Sequence, residues 1–199
     1  MNWMKKVAVA LVCLLPLGLQ AAKVDTLQVK SPSMNKSIEV VVVSPDMAAT
    51  EACPVIYLLH GYGGNARTWV GIKPDLPKIA DEKGIFFVCP DGKNTWYWDS
   101  PLNADVRYET FISDELVKYV DSHYKTVADR KGRAITGLSM GGHGAMWNGL
   151  RHSDVFSAAG STSGGVDIRP FPKNWEMSVQ IGEKAKYPEN WEKYTVINL

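Results

Sequence analysis

The chain has 199 residues, 45% of them apolar and 22% charged, with a formal charge of +1 and no internal repeat. That length suits one globular domain, and the composition excludes a disordered or fibrous chain. Residues 1–22 hold two lysines and no acid, so the remainder carries 20 basic against 21 acidic residues, which gives no basic footprint for nucleic acid.

Those first residues read as a separate unit. Lys5 and Lys6 precede an apolar run, Val7 to Leu19, that is too short to span a bilayer comfortably and ends in Gln20-Ala21-Ala22. The pattern predicts a secretory signal peptide over 1–22 and a domain over 23–199, secreted or periplasmic and free of the membrane once the leader is removed. Cys13 lies inside the apolar run, too early for a lipid-attachment cysteine.

Two strands follow, Val24 to Val29 and Ser37 to Val43, predicted to form an antiparallel edge pair across a Ser31-Pro32-Ser33 turn. Pro54 to Leu59 is a continuous apolar run that ends in His60-Gly61-Tyr62-Gly63-Gly64, as a central parallel strand covered on both faces does. A helix is expected around Pro77 to Lys83, then a strand from Ile85 to Cys89 stopped by Pro90-Asp91-Gly92. Cys53 and Cys89 would sit at opposite ends of neighbouring strands, so both are expected as free thiols. No Cys/His pair has zinc-ligand spacing. Thr95 to Ser100 carries Trp96, Tyr97 and Trp98. It reads either as exposed aromatics that stack on substrate or as a loop pinned by buried ones.

From Phe111 to Tyr124 a helix gathers Phe111, Ile112, Leu116, Val117 and Val120 on one face, with His123 on the surface. Glu109, at its start, reads as a buried or capping carboxylate. Arg133 to Thr136 is a short strand, Gly142 to Arg151 a helix, and Ala158 to Gly160 a further strand. Gly164-Gly165 and Pro170-Phe171-Pro172 then suggest a loop or lid over a cleft, lined by Phe171, Trp175 and Trp191. Alternating strands and helices predict an α/β fold with a mostly parallel sheet and helices on both faces.

Between the last strand-helix pair stands Gly137-Leu138-Ser139-Met140-Gly141-Gly142, the G-x-S-x-G pattern in the strand-turn-helix context that gives it meaning. A sharp turn there strains the serine backbone and exposes the hydroxyl, and the flanking glycines admit close backbone approach. The helix N-terminus beside it offers N–H groups to an oxyanion. Met140 is expected to give one such donor and the loop after His60 the other. His60 reads as a residue that orients its loop.

The chain resembles the esterase D / antigen 85 / feruloyl-esterase-like branch of the α/β-hydrolases. The matching residues are Tyr57-Leu58-Leu59-His60-Gly61-Tyr62-Gly63-Gly64, Cys89-Pro90-Asp91-Gly92, Tyr108-Glu109-Thr110-Phe111, and Gly137-Leu138-Ser139-Met140-Gly141-Gly142-His143-Gly144-Ala145. The resemblance implies an α/β-hydrolase fold, a Ser-His-Asp/Glu triad acting through an acyl-enzyme, and no cofactor. By position it makes Ser139 the nucleophile, and Met140 and Tyr62 the lenders of oxyanion N–H groups. It also implies that a histidine at position 143 is not the base.

In this fold the triad runs Ser, then acid, then His. After Ser139 come only His143 and His152, and no histidine follows Asp154 or Asp167, so that order cannot be completed here. Glu109 precedes the serine and is not the triad acid. The resemblance thus implies that the last strands and helices of the domain are missing, and that these 199 residues are close to inactive. Removing the base of a serine hydrolase costs on the order of a millionfold in turnover. The expected activity of the complete protein is hydrolysis of small-molecule or carbohydrate esters, with acetyl and feruloyl groups as candidates. An antigen 85-like acyltransferase would use the same parts, and a non-catalytic binding protein on a hydrolase fold stands as the alternative from another class.

Overall fold

The computed structural model describes residues 22–199, and the expected leader lies outside the described residues apart from Ala22. Strands β1 (Lys23–Ser31) and β2 (Lys36–Ser44) open the fold as the expected hairpin, turning through Asn35 at φ 47°. Asparagine enters that left-handed region more readily than most residues. With β3 (Val55–Leu59), β4 (Phe86–Pro90), β5 (Arg133–Gly137) and the short β6 (Ala158–Ala159) they form one six-stranded sheet, order β1-β2-β4-β3-β5-β6. The β1/β2 and β2/β4 pairs are antiparallel, while β4, β3, β5 and β6 run parallel.

Both faces of the sheet are covered, and period-two alternation decides which residue goes where. Val41, Val43, Leu58, Phe87 and Cys89 face α1 (Thr68–Ile72) and α2 (Leu76–Lys83) across the smaller core. Val40, Val42, Tyr57, Leu59, Val88 and Ile135 face the larger core. There α3 (Tyr108–Thr110) runs through a π-type turn, Phe111–Glu115, into α4 (Leu116–His123). All five residues assigned to its apolar face are buried, and His123 is exposed. The segment through Ser139 leads into α5 (Met140–Arg151), and α6 (Met177–Ile181) and α7 (Pro188–Lys193) add Met177, Ile181 and Trp191 to the same core.

Cys53 and Cys89 are buried free thiols, placed before β3 and late in its parallel neighbour β4 as expected. Among the described residues no helix is long and apolar enough to cross a membrane. The structure decides one open reading and corrects one expectation. Trp96, Tyr97 and Trp98 are buried, so the loop is pinned by its aromatics: Trp96 and Trp98 stack at 5.5 Å, and the Tyr97 hydroxyl donates to the His60 carbonyl at 3.1 Å. Trp191 does not line a cleft. Its indole N–H donates to the Gly182 carbonyl at 2.9 Å, which locks the ring inside the larger core.

Candidate active site

The end of β5 passes directly into α5 through Ser139, which sits at φ 54°, ψ −116°. An L-residue enters that region only at a cost of order 1–3 kcal/mol. Surrounding main-chain bonds hold it there. Ser139 N–H donates to the Thr162 carbonyl at 2.8 Å, Leu138 N–H to the Leu59 carbonyl at 3.1 Å, and His143 N–H to the Ser139 carbonyl at 3.0 Å. The turn is possible because Gly137 and Gly141 are glycines: a Cβ on either would collide with the Leu59 carbonyl oxygen. The Ser139 side chain is exposed, not packed in hydrocarbon.

The His60-Gly61-Tyr62-Gly63-Gly64 loop lies against this elbow. A Cβ built on Gly61 would stand 3.4 Å from the Leu138 carbonyl oxygen and 3.6 Å from Ser139 Cβ. His60 is buried beneath the loop. Its Nε2 accepts from Gly92 N–H at 2.9 Å, which leaves Nδ1–H to donate to the Gly61 carbonyl at 2.8 Å. Gly63, at φ 76°, donates its N–H to Asn94 Oδ1 at 2.9 Å. Neither Tyr62 N–H nor Met140 N–H has a partner among the described residues.

Ser139 and Tyr62 share a cleft of about 220 Å³ with Trp96, Ile168, Phe171, Trp175 and Met177. Asp167 also borders it, but its carboxylate is held by Arg169 Nε and Nη2 at 2.8 and 2.9 Å. The arrangement is an exposed hydroxyl at a helix N-terminus, with unpaired N–H groups in the adjoining segments and an apolar recess beside it. Those are the parts that acyl transfer through an oxyanion uses.

Comparison with known proteins agrees with this geometry. A protein-family model described as Putative esterase matches residues 31–197.

The chain belongs to that esterase family.

An esterase of Mycobacterium tuberculosis is 30% identical over 149 residues, covering 71% of this chain and 32% of that protein. The chain thus spans about a third of the length of that curated relative. A solved ferulic acid esterase is 30% identical, with TM-score 0.68, over 88% of this chain and 71% of that one. The S-formylglutathione hydrolase of Agrobacterium tumefaciens shares the α/β-hydrolase fold at 22% identity, with TM-score 0.74, over 89% and 70% of the two chains.

A serine esterase needs a base, and each of the four histidines of this family member has other work. His143 is fully buried. Its Nε2 accepts from Trp98 Nε1 at 2.9 Å and its Nδ1–H donates to the Gly165 carbonyl at 2.7 Å. Burial pushes its pKa down to about 4, so the ring is neutral at pH 7. His152 Nε2 is bound to Glu109 Oε1 at 2.9 Å, and the exposed His123 stacks on Tyr119 at 3.9 Å. Glu109 is the buried carboxylate the sequence suggested, tying the start of α3 to the end of α5. Burial works against its charge, but donors on His152, Arg151 and Trp147 outweigh it and hold the pKa below the usual value.

The candidate site also contains Ile168, Met177, Asn94 and Glu176, which sequence reasoning did not assign to it. Trp96, Ile168 and Met177 form the cleft's buried floor, and Asn94 and Glu176 meet behind its rim at 3.4 Å. The only local signal was aromatic content. The positive φ angles of Trp96, Trp175 and Glu176, which turn these residues into place, leave no mark in a residue pattern.

Proposed function

We propose that this chain carries the nucleophile and oxyanion half of a serine carboxylic ester hydrolase. Ser139 Oγ attacks the ester carbonyl and gives up its proton to a base. The carbonyl oxygen becomes an oxyanion held by the N–H groups of Met140 and Tyr62, and the C–O bond then breaks as the base returns the proton to the departing alcohol, leaving an acyl-Ser139. Water completes the cycle by the reverse steps. Each such N–H donor contributes about 3–4 kcal/mol in the transition state. The observation that carries the reading is the strained, exposed turn at Ser139, φ 54°, facing an esterase-family loop.

Small-molecule or carbohydrate esters are the proposed substrates. Similarity to a ferulic acid esterase and the apolar cleft beside Ser139 support this. Export to the periplasm or beyond rests on the leader pattern at 1–22. With all four histidines engaged elsewhere, the 199-residue chain is expected to acylate slowly, because a serine hydroxyl is a weak nucleophile without a base.

Incubation with p-nitrophenyl acetate tests both parts. One acetyl group should appear on Ser139 by peptide mass mapping, faster when imidazole is added as a diffusible base, and never in Ser139→Ala. Equal acetylation of the variant would overturn the nucleophile. Rapid multiple turnover by the unaided chain, abolished in Ser139→Ala, would overturn the missing base.

A further inference from the structure

The cleft in front of Ser139 is built in two tiers. Trp96, Ile168 and Met177 are almost wholly buried and form its floor, whereas Tyr62, Phe171 and Trp175 are exposed and form its rim. The rim is tethered on its inner side. Trp96 Nε1 donates to the Trp175 carbonyl at 3.1 Å, and the Phe171 and Trp175 rings pack at 5.5 Å. Glu176, the next residue, accepts from Asn94 Nδ2 at 3.4 Å, and Asn94 in turn holds Gly63 N–H at 2.9 Å. One amide side chain thus joins the Tyr62-Gly63 loop to the Trp175-Glu176 turn, which keeps φ 49° and 54° at its two residues. The Glu176 carboxylate also lies beside the Tyr62 phenol, and partial burial together with that neighbour pushes the phenol pKa up.

We propose that the Trp175-Glu176 turn, latched to Asn94, sets the upper size limit of the acyl group that this cleft accepts. The proposal rests on the esterase reading and deepens it. A recess of about 220 Å³ holds roughly seven waters' worth of liquid, room for a single ring with a short tail but not for a long alkyl chain. Its lining contains no unpaired charge, since the Asp167 carboxylate is paired with Arg169, which also holds Glu192. The acyl group that fits is compact and apolar, lying against the Trp96 and Trp175 rings, which touch each other at 6.4 Å between centroids and 52° between planes. With the latch open, Trp175 can swing outward and the recess can continue past the rim.

Binding of free carboxylates to the full 199-residue chain tests this without requiring turnover. Cinnamate and decanoate, each below its aggregation concentration, are titrated with saturation-transfer NMR as the readout. The unmodified chain should bind cinnamate and discriminate against decanoate. In Asn94→Ala and Glu176→Ala, decanoate binding should gain on the order of tenfold, the scale by which pocket shape discriminates alkyl groups. Glu176→Gln retains an acceptor for Asn94 and should keep the original preference. Trp175→Ala should lose cinnamate. Unchanged preference in both latch variants would overturn the proposal, as would tight decanoate binding by the unmodified chain or no binding of either acid. Because the readout does not involve Ser139 chemistry, a failure here leaves the acetylation result standing, and the converse also holds.

Discussion

The two walls of the cleft are made in opposite ways. On the Ser139 side, main chain packs directly on main chain: β5, the elbow and the start of α5 press on the end of β3, with Leu138 and Ser139 N–H groups bonded to backbone carbonyls. On the far side, the stretch from Ser163 to Glu176 contains no helix or strand and is held mainly by side chains reaching to its carbonyls, with one main-chain bond from Ile197 N–H to the Val166 carbonyl. His143 Nδ1 bonds to Gly165 and Trp96 Nε1 to Trp175. The first wall tolerates almost no change of residue at its contacts. The second depends on a few polar anchors and on aromatic packing.

The sharpest way to break this contrast is Gly141→Ala. Alanine is the better helix former, so a site governed by local propensity would gain stability. Here the new Cβ would meet the Leu59 carbonyl and stand 2.6 Å from the His60 carbonyl oxygen, neither of which is a flexible side chain. Stability should fall by about 3 kcal/mol, a large part of the 5–15 kcal/mol typical of a domain. Urea denaturation followed by tryptophan fluorescence measures it. A neutral or stabilising result would mean that the first wall is as adaptable as the second.

His143 joins the two walls, since it stands on α5 and holds Gly165, and it makes the joint acid-sensitive. Its folded-state pKa is lowered from 6.5 to about 4 by burial. Above pH 6.5 both folded and unfolded forms keep the ring neutral and no penalty arises. As pH falls toward about 4 only the unfolded chain takes up the proton, and stability drops by up to about 3 kcal/mol. His143→Gln should flatten that window in pH-dependent denaturation curves, whatever it does to stability at neutral pH. An unaltered slope would place the acid sensitivity in other groups. Glu109 acts in the same direction but at lower pH, because its lowered folded pKa means stability is lost as pH falls through the carboxylate range.

What the sequence disclosed divides along the same line as the two walls. Gly137, Gly141 and Gly64 are fixed by close contact and Gly63 by its φ of 76°, so the elbow and its loop could be read from residue types alone. The four valines of β2 and the face of Phe111, Ile112, Leu116, Val117 and Val120 follow from periodicity, and they fold as expected. Trp191 and the Trp96-Tyr97-Trp98 loop could not be placed in this way. An indole carries both an apolar body and one donor, and whether it is buried depends on a distant carbonyl or imidazole, Gly182 for Trp191 and His143 for Trp98. Asn94 and Glu176 were invisible for a similar reason: they lie 82 residues apart, and their meeting is a property of the fold alone.

Strain supplies a smaller effect of opposite sign. Ser139→Gly removes the side chain from a backbone at φ 54°, and should stabilise the protein by about 1 kcal/mol while abolishing acetylation. A gain in denaturation midpoint with loss of labelling is the expected pair of results. Loss of stability instead would show that the serine side chain contributes packing there, contrary to its exposure.

The smallest expected change is the one that separates the walls most cleanly. Trp175 is 45% exposed, and the turn that bears it is held through its carbonyl by Trp96 and through its neighbour by Asn94. Trp175→Ala therefore removes a rim without removing the anchors. Much of the indole already faces water, so stability should change by less than about 1 kcal/mol, as for substitutions away from the core. Equal denaturation midpoints, together with lost cinnamate binding, would mean that this wall serves recognition and the opposite wall serves the fold. A drop comparable to that of Gly141→Ala would mean that the rim is structural, and that both walls are parts of one rigid unit.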